Sequence, residues 1–575
     1  MRIAELLKNK RWEIVFLSIF LVVGIFFRVY NFAPWLHFEI DQSYDTLVVS
    51  PAVEEGIGNL PLLGPTAGGG RALRLGPAFY YLEYASAKIF GNTPAGHAAL
   101  VLVFSLLSLP LFYAFAGRYF SQPVRIGLLA IYAFSFYLIL YARFSWSPNV
   151  LLFFSLGLFY ALLRSVSAEE KNKDRWFLLA ITLTALISQI HFNAFFVVPA
   201  VVVAFLLIKR PRFRWHIWLS AVFLCLVIYA PVIVSEVKTH GENTQYFLAK
   251  VAKGERGGSV DYNLVKFVQT VHYFSADSFL IVTGLDHIND GNINGYGLEA
   301  GEHYFWRILA LAILLLQASL FILRLLRETE TRKRDFLILC GLWMTMTFLY
   351  FFTLSRGGFR LYPRFFLLVA PLAVVLFGLL LEHLSPGTEK KRWPVFIVIL
   401  AILSLSNVTQ VIRYFQGLGQ TSKTTFTVQT EDVLPDSARI TLEQQNSIVA
   451  YIEGKYRENG YPVYMKSIHE YEPSLAYLLE RRGVNYYGNF GDGAVYVQGN
   501  YFVVKQSKAR NDPKIEGYTL VGARYFGTLT VYSMAPVAEA VTQMRQDEST
   551  RTLSVQKEQI AKLYTWKKLL SGAKE

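Results

Sequence analysis

The stretch HFEIDQSYD, from His37 to Asp45, follows directly on the first long apolar run of the chain. If that run crosses a bilayer, Glu39, Asp41 and Asp45 stand at the membrane surface. A loop leaving a membrane helix is often acidic only because surface charges are common and cost little. This segment, however, lies beside a bilayer that penalises buried charge, which favours a role in chemistry.

The composition outside this segment is that of a membrane protein. Of the 575 residues, 53% are hydrophobic and 17% are charged, and the apolar residues form blocks. Blocks near the roughly 20 residues that cross a bilayer lie at 12–30, 96–117, 124–142, 148–166, 215–235, 304–325, 336–355, 364–383 and 394–412. One further block, 176–208, is either one helix or two short crossings that turn near Gln189, His191 and Asn193.

The two-crossing alternative gives about eleven spans and puts every basic cluster on one side of the membrane. The excess of Lys and Arg marks that side as cytoplasmic. The outer side then holds residues 31–93, 236–303, 355–364 and everything after about Arg413. The net charge of +14 is explained by lysines and arginines that orient the spans, so we predict no nucleic-acid partner.

The chain divides into three predicted parts. Residues 1–413 form a transmembrane domain, residues 414–536 a soluble α/β domain outside the membrane, and residues 537–575 a polar tail of unknown role. In the α/β domain, helical patterns at 445–458 and 473–482 alternate with strand patterns at 461–468, 494–506 and 518–534. The predicted fold class is a polytopic α-helical membrane protein with a C-terminal α/β domain in the cell membrane.

Two amphipathic segments follow the acidic stretch, at residues 44–56 and 76–92. Both are too short or too polar to span, and they look like helices that lie on the membrane plane. We expect them to build a shallow cavity at the interface, roofed by residues 236–303. Such a cavity suits transfer between a lipid-borne and a water-borne substrate.

Four motifs in this order resemble the GT-C superfamily of polytopic glycosyltransferases, which use polyprenyl-phosphate sugars. They are EIDQ at 39–42, GPAFYYLEYASAKIFG at 76–91, QIHFNAFFVVPA at 189–200 and YPRFFLLVAPL at 362–372. The resemblance is closest to protein O-mannosyltransferases and to the aminoarabinose transferases of lipid A. The chain departs from the family at Gln42, where Glu is usual, so one acid of the pair is missing unless Glu39 substitutes for it.

The resemblance implies that Asp41 is the general base, which takes the proton of an acceptor hydroxyl as it attacks the anomeric carbon. Glu39 is the second candidate. A positioned base typically contributes about 10²- to 10⁴-fold in rate.

The departing polyprenyl phosphate needs cations, and the predicted loop 355–364 supplies three arginines, whose planar guanidinium suits phosphate. The alternative role is anchoring to lipid headgroups. The predicted phosphate ligands are Arg356, Arg360 and Arg364, followed by Arg71 and Arg74. Arg143 and His191 are further candidates, for which a helix-end anchor and a polar turn are at least equally good explanations.

Asp286, Asp290 and Glu302 lack a spacing that would fix a metal site. We therefore predict no cofactor and no required metal, while a divalent cation stays open.

The motifs together favour an inverting membrane glycosyltransferase. It would move a sugar from a polyprenyl-phosphate donor to a hydroxyl of a protein, lipid or glycan acceptor on the outer face of the membrane. The main alternative is a polytopic transporter or flippase of lipid-linked envelope precursors, against which we find no acid or base at the centre of a predicted span. A second alternative is an anchored binding protein, for which eleven spans are excessive.

Overall fold

The computed structural model describes residues 10–66, 73–252, 260–285, 304–354, 361–384, 393–426, 434, 439–490, 498–507, 512–538 and 563–571. Its helices in the first four-fifths of the chain are α1 Lys10–Val29, α2 Ile40–Glu55, α3 Ala78–Phe90, α4 Pro94–Ala116, α5 Gln122–Phe134, α6 Phe136–Tyr141, α7 Leu151–Val166, α8 Lys173–Ile187, α9 Phe192–Lys209, α10 Trp215–Lys238, α11 Glu242–Ala252, α12 Val260–Thr283, α13 Tyr304–Arg327, α14 Thr331–Leu354, α15 Ala370–Leu384 and α16 Trp393–Gln420.

Eight apolar segments among the described residues are long enough to cross a membrane, and α5 and α15 are shorter apolar helices. The predicted polytopic α-helical fold is therefore confirmed. The ambiguous block 176–208 consists of two helices, because α8 ends at Ile187 and α9 begins at Phe192. The last long helix, α16, continues beyond the predicted boundary at Arg413 to Gln420.

Residues 236–303 contain two helices, α11 and α12, that the sequence pattern did not reveal. Helix α12 packs against α13, α14, α15 and α16 and buries the side chains of Lys266, His272 and Asp277. The prediction that the whole segment roofs an outer cavity is wrong for α12, which lies among the long apolar helices. Polar residues interrupt the apolar pattern of α12, so the sequence pattern predicted a loop.

The C-terminal domain contains a five-stranded mixed sheet with two helices. Its elements are α17 Leu442–Asn459, β1 Val463–Lys466, α18 Glu472–Arg481, β2 Tyr486–Gly488, β3 Asn500–Gln506, β4 Tyr518–Phe526 and β5 Leu529–Pro536. The strand order is β2-β1-β3-β5-β4, with β1 parallel to both neighbours and the remaining pairs antiparallel. The predicted strand at 518–534 is in fact a hairpin, which turns at Gly527 with a positive φ of 70°.

The end of the chain returns to the loop between α2 and α3. Helix α19 (Trp566–Ser571) follows Thr565, which forms a β-bridge with Pro61. The backbone N–H of Leu62 donates to the carbonyl of Tyr564 at 2.9 Å. These contacts give part of the predicted polar tail a defined place beside the first loop.

Candidate active site

The acidic segment begins a helix, and this fixes where its carboxylates lie. Glu39 has extended backbone dihedrals and is the N-cap of α2. Its backbone N–H donates to Oε1 of Gln42 at 3.1 Å, which is one half of a capping box. Gln42 thus has a local structural role at the position where the family usually carries Glu. Both Glu39 and Asp41 stand at the helix N-terminus, which favours negative charge.

Glu39 is paired with a neighbouring histidine. Its Oε1 lies 3.3 Å from Nε2 of His37, and the His37 ring packs edge-on against Phe144 with 4.9 Å between ring centroids. Burial raises the pKa of Glu39, but His37 and the charge of Arg364 outweigh burial and hold the pKa below its usual value. Glu39 is therefore ionised at neutral pH and already engaged by a partner.

Asp41 has a different environment. Its side chain is exposed to solvent, although protein surrounds it on several sides, so it lines a concave surface. Partial desolvation, followed by the charge of Glu39, raises its pKa, while Arg364 and a hydrogen bond from Trp146 oppose that rise. A carboxylate that is accessible and has a raised pKa is suited to accept a proton.

Arg364 faces these carboxylates from a short 3₁₀ helix, Pro363–Leu368. Two hydrogen bonds hold the backbone on either side of it: the Tyr137 hydroxyl donates to the carbonyl of Pro363 at 2.6 Å, and Nδ2 of Asn193 donates to the carbonyl of Phe365 at 2.9 Å. Within the described part of the chain, its guanidinium N–H groups donate no hydrogen bond to protein. They are available for a phosphate.

His191 belongs to the support of Arg364. Its Nδ1 lies 2.5 Å from Oδ1 of Asn193, and its ring centroid lies 5.9 Å from that of Phe365. Burial, opposed by the hydrogen bond with Asn193 and reinforced by the charge of Arg364, lowers the pKa of His191 to about 4. The imidazole is thus neutral at physiological pH and lies beside the 3₁₀ helix.

Asp45 lies one turn further along α2 and is fully enclosed. Desolvation, followed by the charges of Glu83 and Asp41, raises its pKa well above the usual value. Arg74 lies nearby and opposes this rise. Its guanidinium donates to the hydroxyl of Tyr44 at 3.2 Å and to the carbonyl of Gly64 at 3.2 Å. The guanidinium of Arg74 is therefore partly committed to protein.

A buried pair behind Asp45 was missed in the sequence. Glu83 of α3 accepts a hydrogen bond from the Ser145 hydroxyl at 2.9 Å and lies 3.5 Å from Nδ1 of His97. The other ring nitrogen of His97 lies 2.8 Å from Oδ1 of Asn92. Glu83 is the single acid in the aromatic segment 76–91. An isolated acid in such a segment is a sequence signal that could have predicted a buried polar partner for Glu83.

Arg143 is placed at the end of α1. Its guanidinium donates to the carbonyls of Phe27 at 3.2 Å, Arg28 at 3.0 Å and Asn31 at 3.2 Å. It thereby satisfies carbonyls that a helix end leaves unpaired. Burial lowers its pKa to about 10. These contacts describe a helix cap, and the other three predicted phosphate ligands, Arg71, Arg356 and Arg360, lie outside the described residues.

A cavity of about 180 Å³ lies beside Arg74. Its walls are mostly apolar and aromatic, with Leu73, Leu75, Phe192, Phe195, Val232 and Phe247 among the lining residues. Arg74, Gln189 and Glu236 supply its polar edge. A side chain at Gly76 would put its Cβ 2.3 Å from Oε1 of Gln189, so glycine permits the close approach of the first loop to this wall.

No group of three or more His, Cys, Asp or Glu side chains that could hold a metal ion is found among the described residues. Asp286, Asp290 and Glu302 lie outside them. The absence of a required metal stays a prediction.

Comparison with known proteins points in one direction. Residues 75–234 match the family model of dolichyl-phosphate-mannose-protein mannosyltransferases, which is less than half of the chain. No curated protein sequence matches the chain significantly.

Among solved structures, ArnT from Cupriavidus metallidurans is similar in its apo state, with a TM-score of 0.52 and 13% identity over 92% of this chain and 98% of ArnT. The same protein bound to undecaprenyl phosphate has a TM-score of 0.52 and 14% identity, over 92% of this chain and 99% of ArnT. A third similar structure is that of the oligosaccharyltransferase AglB from Archaeoglobus fulgidus in complex with an inhibitory peptide and a dolichol-phosphate. Its TM-score is 0.47 and its identity 11%, over 86% of this chain and 69% of AglB. The predicted resemblance is confirmed: this chain has the fold of the GT-C superfamily of glycosyltransferases.

Proposed function

We propose that the protein is an inverting glycosyltransferase that takes a sugar from a polyprenyl phosphate and delivers it to a hydroxyl acceptor on the outer face of the membrane. The observation that carries this proposal is the juxtaposition of an accessible carboxylate, Asp41, with Arg364, whose guanidinium donates no hydrogen bond to the described residues. One group can take up a proton and the other can bind a phosphate.

In the proposed reaction, the acceptor oxygen attacks the anomeric carbon and the bond from that carbon to the phosphate oxygen breaks. The acceptor proton passes to Asp41, and polyprenyl phosphate leaves with the bonding electron pair. Arg364 stabilises the charge that develops on the phosphate, which is the kind of electrostatic assistance that contributes most to such reactions. Glu39 is engaged by His37, so it serves the site by its charge.

Two further features support a lipid-borne donor. ArnT has been crystallised with undecaprenyl phosphate, and the apolar cavity beside Arg74 is suited to an isoprenoid chain. Arg74 would then be a second phosphate ligand, available only if it gives up its bonds to Tyr44 and Gly64. Arg356 and Arg360 remain predicted phosphate ligands in this proposal.

A direct test uses the full chain purified into lipid, supplied with a mixture of polyprenyl-phosphate sugars and a membrane extract as acceptor. Release of polyprenyl phosphate is followed by mass spectrometry for wild type, Asp41→Asn and Glu55→Gln. Glu55 is an exposed carboxylate on the same helix, so it is a matched control.

Release by wild type and Glu55→Gln, with a loss of about 10²-fold or more in Asp41→Asn, supports the proposal. Equal release by all three removes Asp41 from the mechanism. No release by wild type, combined with ATP-independent movement of the intact donor across the bilayer, would instead favour the transporter alternative.

A further inference from the structure

The C-terminal domain holds the backbone that leads into the acidic helix α2. Four hydrogen bonds cross between them: Glu443 N–H to Pro34 carbonyl (2.9 Å), Leu442 N–H to Leu36 carbonyl (3.2 Å), Gln445 Nε2 to Phe38 carbonyl (2.8 Å), and Ile40 N–H to Glu470 carbonyl (2.8 Å). These bonds are made by every second residue of the segment, at positions 34, 36, 38 and 40. The segment that carries Glu39 is therefore fixed at regular intervals by a different domain.

Gln445 makes the one side-chain bond of this set. It is fully buried, and a backbone carbonyl can only accept, so its amide nitrogen must face Phe38. Its Oε1 then faces the hydroxyl of Ser474 at 2.8 Å. Both ends of the amide have partners, which defines a single orientation of the side chain.

Phe38 immediately precedes the N-cap of α2, and its ring packs edge-on against Tyr477 of α18 with 5.7 Å between centroids. A shift of the Phe38 carbonyl therefore moves Glu39 and the first turn of α2, which contains Asp41. A misplacement of about 1 Å in a catalytic group can cost on the order of 10²-fold in rate.

We infer that Gln445 is a positioning residue for the Asp41 site, so that the C-terminal domain completes the catalytic centre. This inference rests on the proposed function for its effect on turnover. Its structural part, the restraint of residues 34–45, stands without it.

The neighbouring Gln444 offers a matched control. It is also buried and lies on the same helix, but its Nε2 donates to Phe526 carbonyl at 2.6 Å, Thr528 Oγ1 at 2.9 Å and Thr421 carbonyl at 3.2 Å. These bonds tie the C-terminal domain to itself and to the end of α16. A substitution of Gln444 loosens the domain without touching the bond to Phe38.

The experiment compares Gln445→Met with Gln444→Met in the full chain in lipid, because methionine keeps the length of the side chain and removes its amide. Hydrogen exchange of peptides covering residues 34–45 is measured by mass spectrometry, together with kcat and donor KM. For Gln445→Met we expect faster exchange in this segment and a kcat lowered about 10- to 100-fold, with donor KM within about twofold of wild type. For Gln444→Met we expect neither effect.

Equal loss of kcat in the two variants would show general destabilisation and overturn the inference. Unchanged kcat in Gln445→Met would overturn it as well, even if exchange increases. If wild type turns over no donor, the proposed function fails, and unchanged exchange of residues 34–45 would then independently reject the restraint by Gln445.

Discussion

The guanidinium of Arg364 lies over the indole ring of Trp146, with 4.9 Å between the guanidinium carbon and the ring centroid. The same tryptophan approaches the carboxylate of Asp41 closely enough to lower its pKa. One side chain from the loop after α6 thus connects the proposed base to the proposed phosphate ligand. Its two contacts use different parts of the residue, the ring face and the indole N–H, so they can be separated by substitution.

Trp146→Phe keeps an aromatic face for Arg364 and removes the indole N–H that lowers the pKa of Asp41. We expect kcat to fall about 10-fold while donor KM stays near that of wild type, because the cation–π contact is worth only about 0.5–2 kcal/mol and is largely kept. Trp146→Leu removes both contacts and should also raise donor KM. Steady-state kinetics of polyprenyl phosphate release distinguish the two variants, and identical kinetics would show that the N–H has no part in turnover.

We expect the charge of Arg364 to influence the pH range of activity. Its positive charge lowers the pKa of Asp41, so Arg364→Gln should raise that pKa further. Because the base must be deprotonated, the acid limb of the rate profile then moves to higher pH. Arg364→Lys keeps the charge and should leave the acid limb in place, while donor affinity falls because lysine lacks the planar fork. Profiles of kcat/KM against pH test this, and an acid limb that does not move in Arg364→Gln would separate Arg364 from the base.

Asp45 should make folding stability depend on pH. Its pKa is raised by burial in the folded protein, so its full contribution to stability is present below its unfolded pKa of about 3.9 and is lost as pH rises through the folded value. Asp45→Asn carries no such proton. We expect the free energy of unfolding of wild type, relative to this variant, to decline as pH rises above about 4, by at most about 1.4 kcal/mol per pH unit, followed by equilibrium unfolding at each pH. A constant difference would mean that Asp45 does not titrate in the folded protein.

Arg143→Met tests the assignment of Arg143 to the end of α1. The substitution leaves the carbonyls of Phe27 and Arg28 without a donor, while that of Asn31 keeps the backbone N–H of Trp35. Each buried carbonyl left unpaired costs about 1–3 kcal/mol. We expect a Tm lower by several degrees and donor affinity unchanged, measured by thermal unfolding and by direct donor binding. Weakened donor binding at unchanged Tm would instead indicate that Arg143 is a ligand of the donor phosphate, which is the other role considered in the sequence analysis.

The sequence predicts the fold well where apolar periodicity is strong. The long apolar blocks and the break near Gln189 were found because a bilayer demands runs of fixed length. Helix α12 was not predicted, because residues such as Lys266 and Asp277 interrupt its apolar face. Their burial is visible only after the neighbouring helices are in place.

The candidate site shows the same limit. Asp41, Glu39 and Arg364 were identified from motifs, and the structure brings them together. The support of Asp41 by Trp146 and of Glu83 by His97 depends on contacts between segments far apart in sequence, which no local pattern reports. Arg143 has the residue type of a phosphate ligand, but its partners are backbone carbonyls that only the folded chain reveals.

The return of the last residues to the first loop bears on how the protein is made. The acidic segment 37–45 leaves the ribosome well before its partners Gln445 and Glu470, and Tyr564 and Trp566, which contact Leu62 and Tyr81, emerge later still. Membrane insertion of the helices can proceed during translation, whereas these contacts cannot form until the C-terminal domain has been synthesised. A nascent polypeptide that ends before this domain therefore carries its acidic residues without their supports.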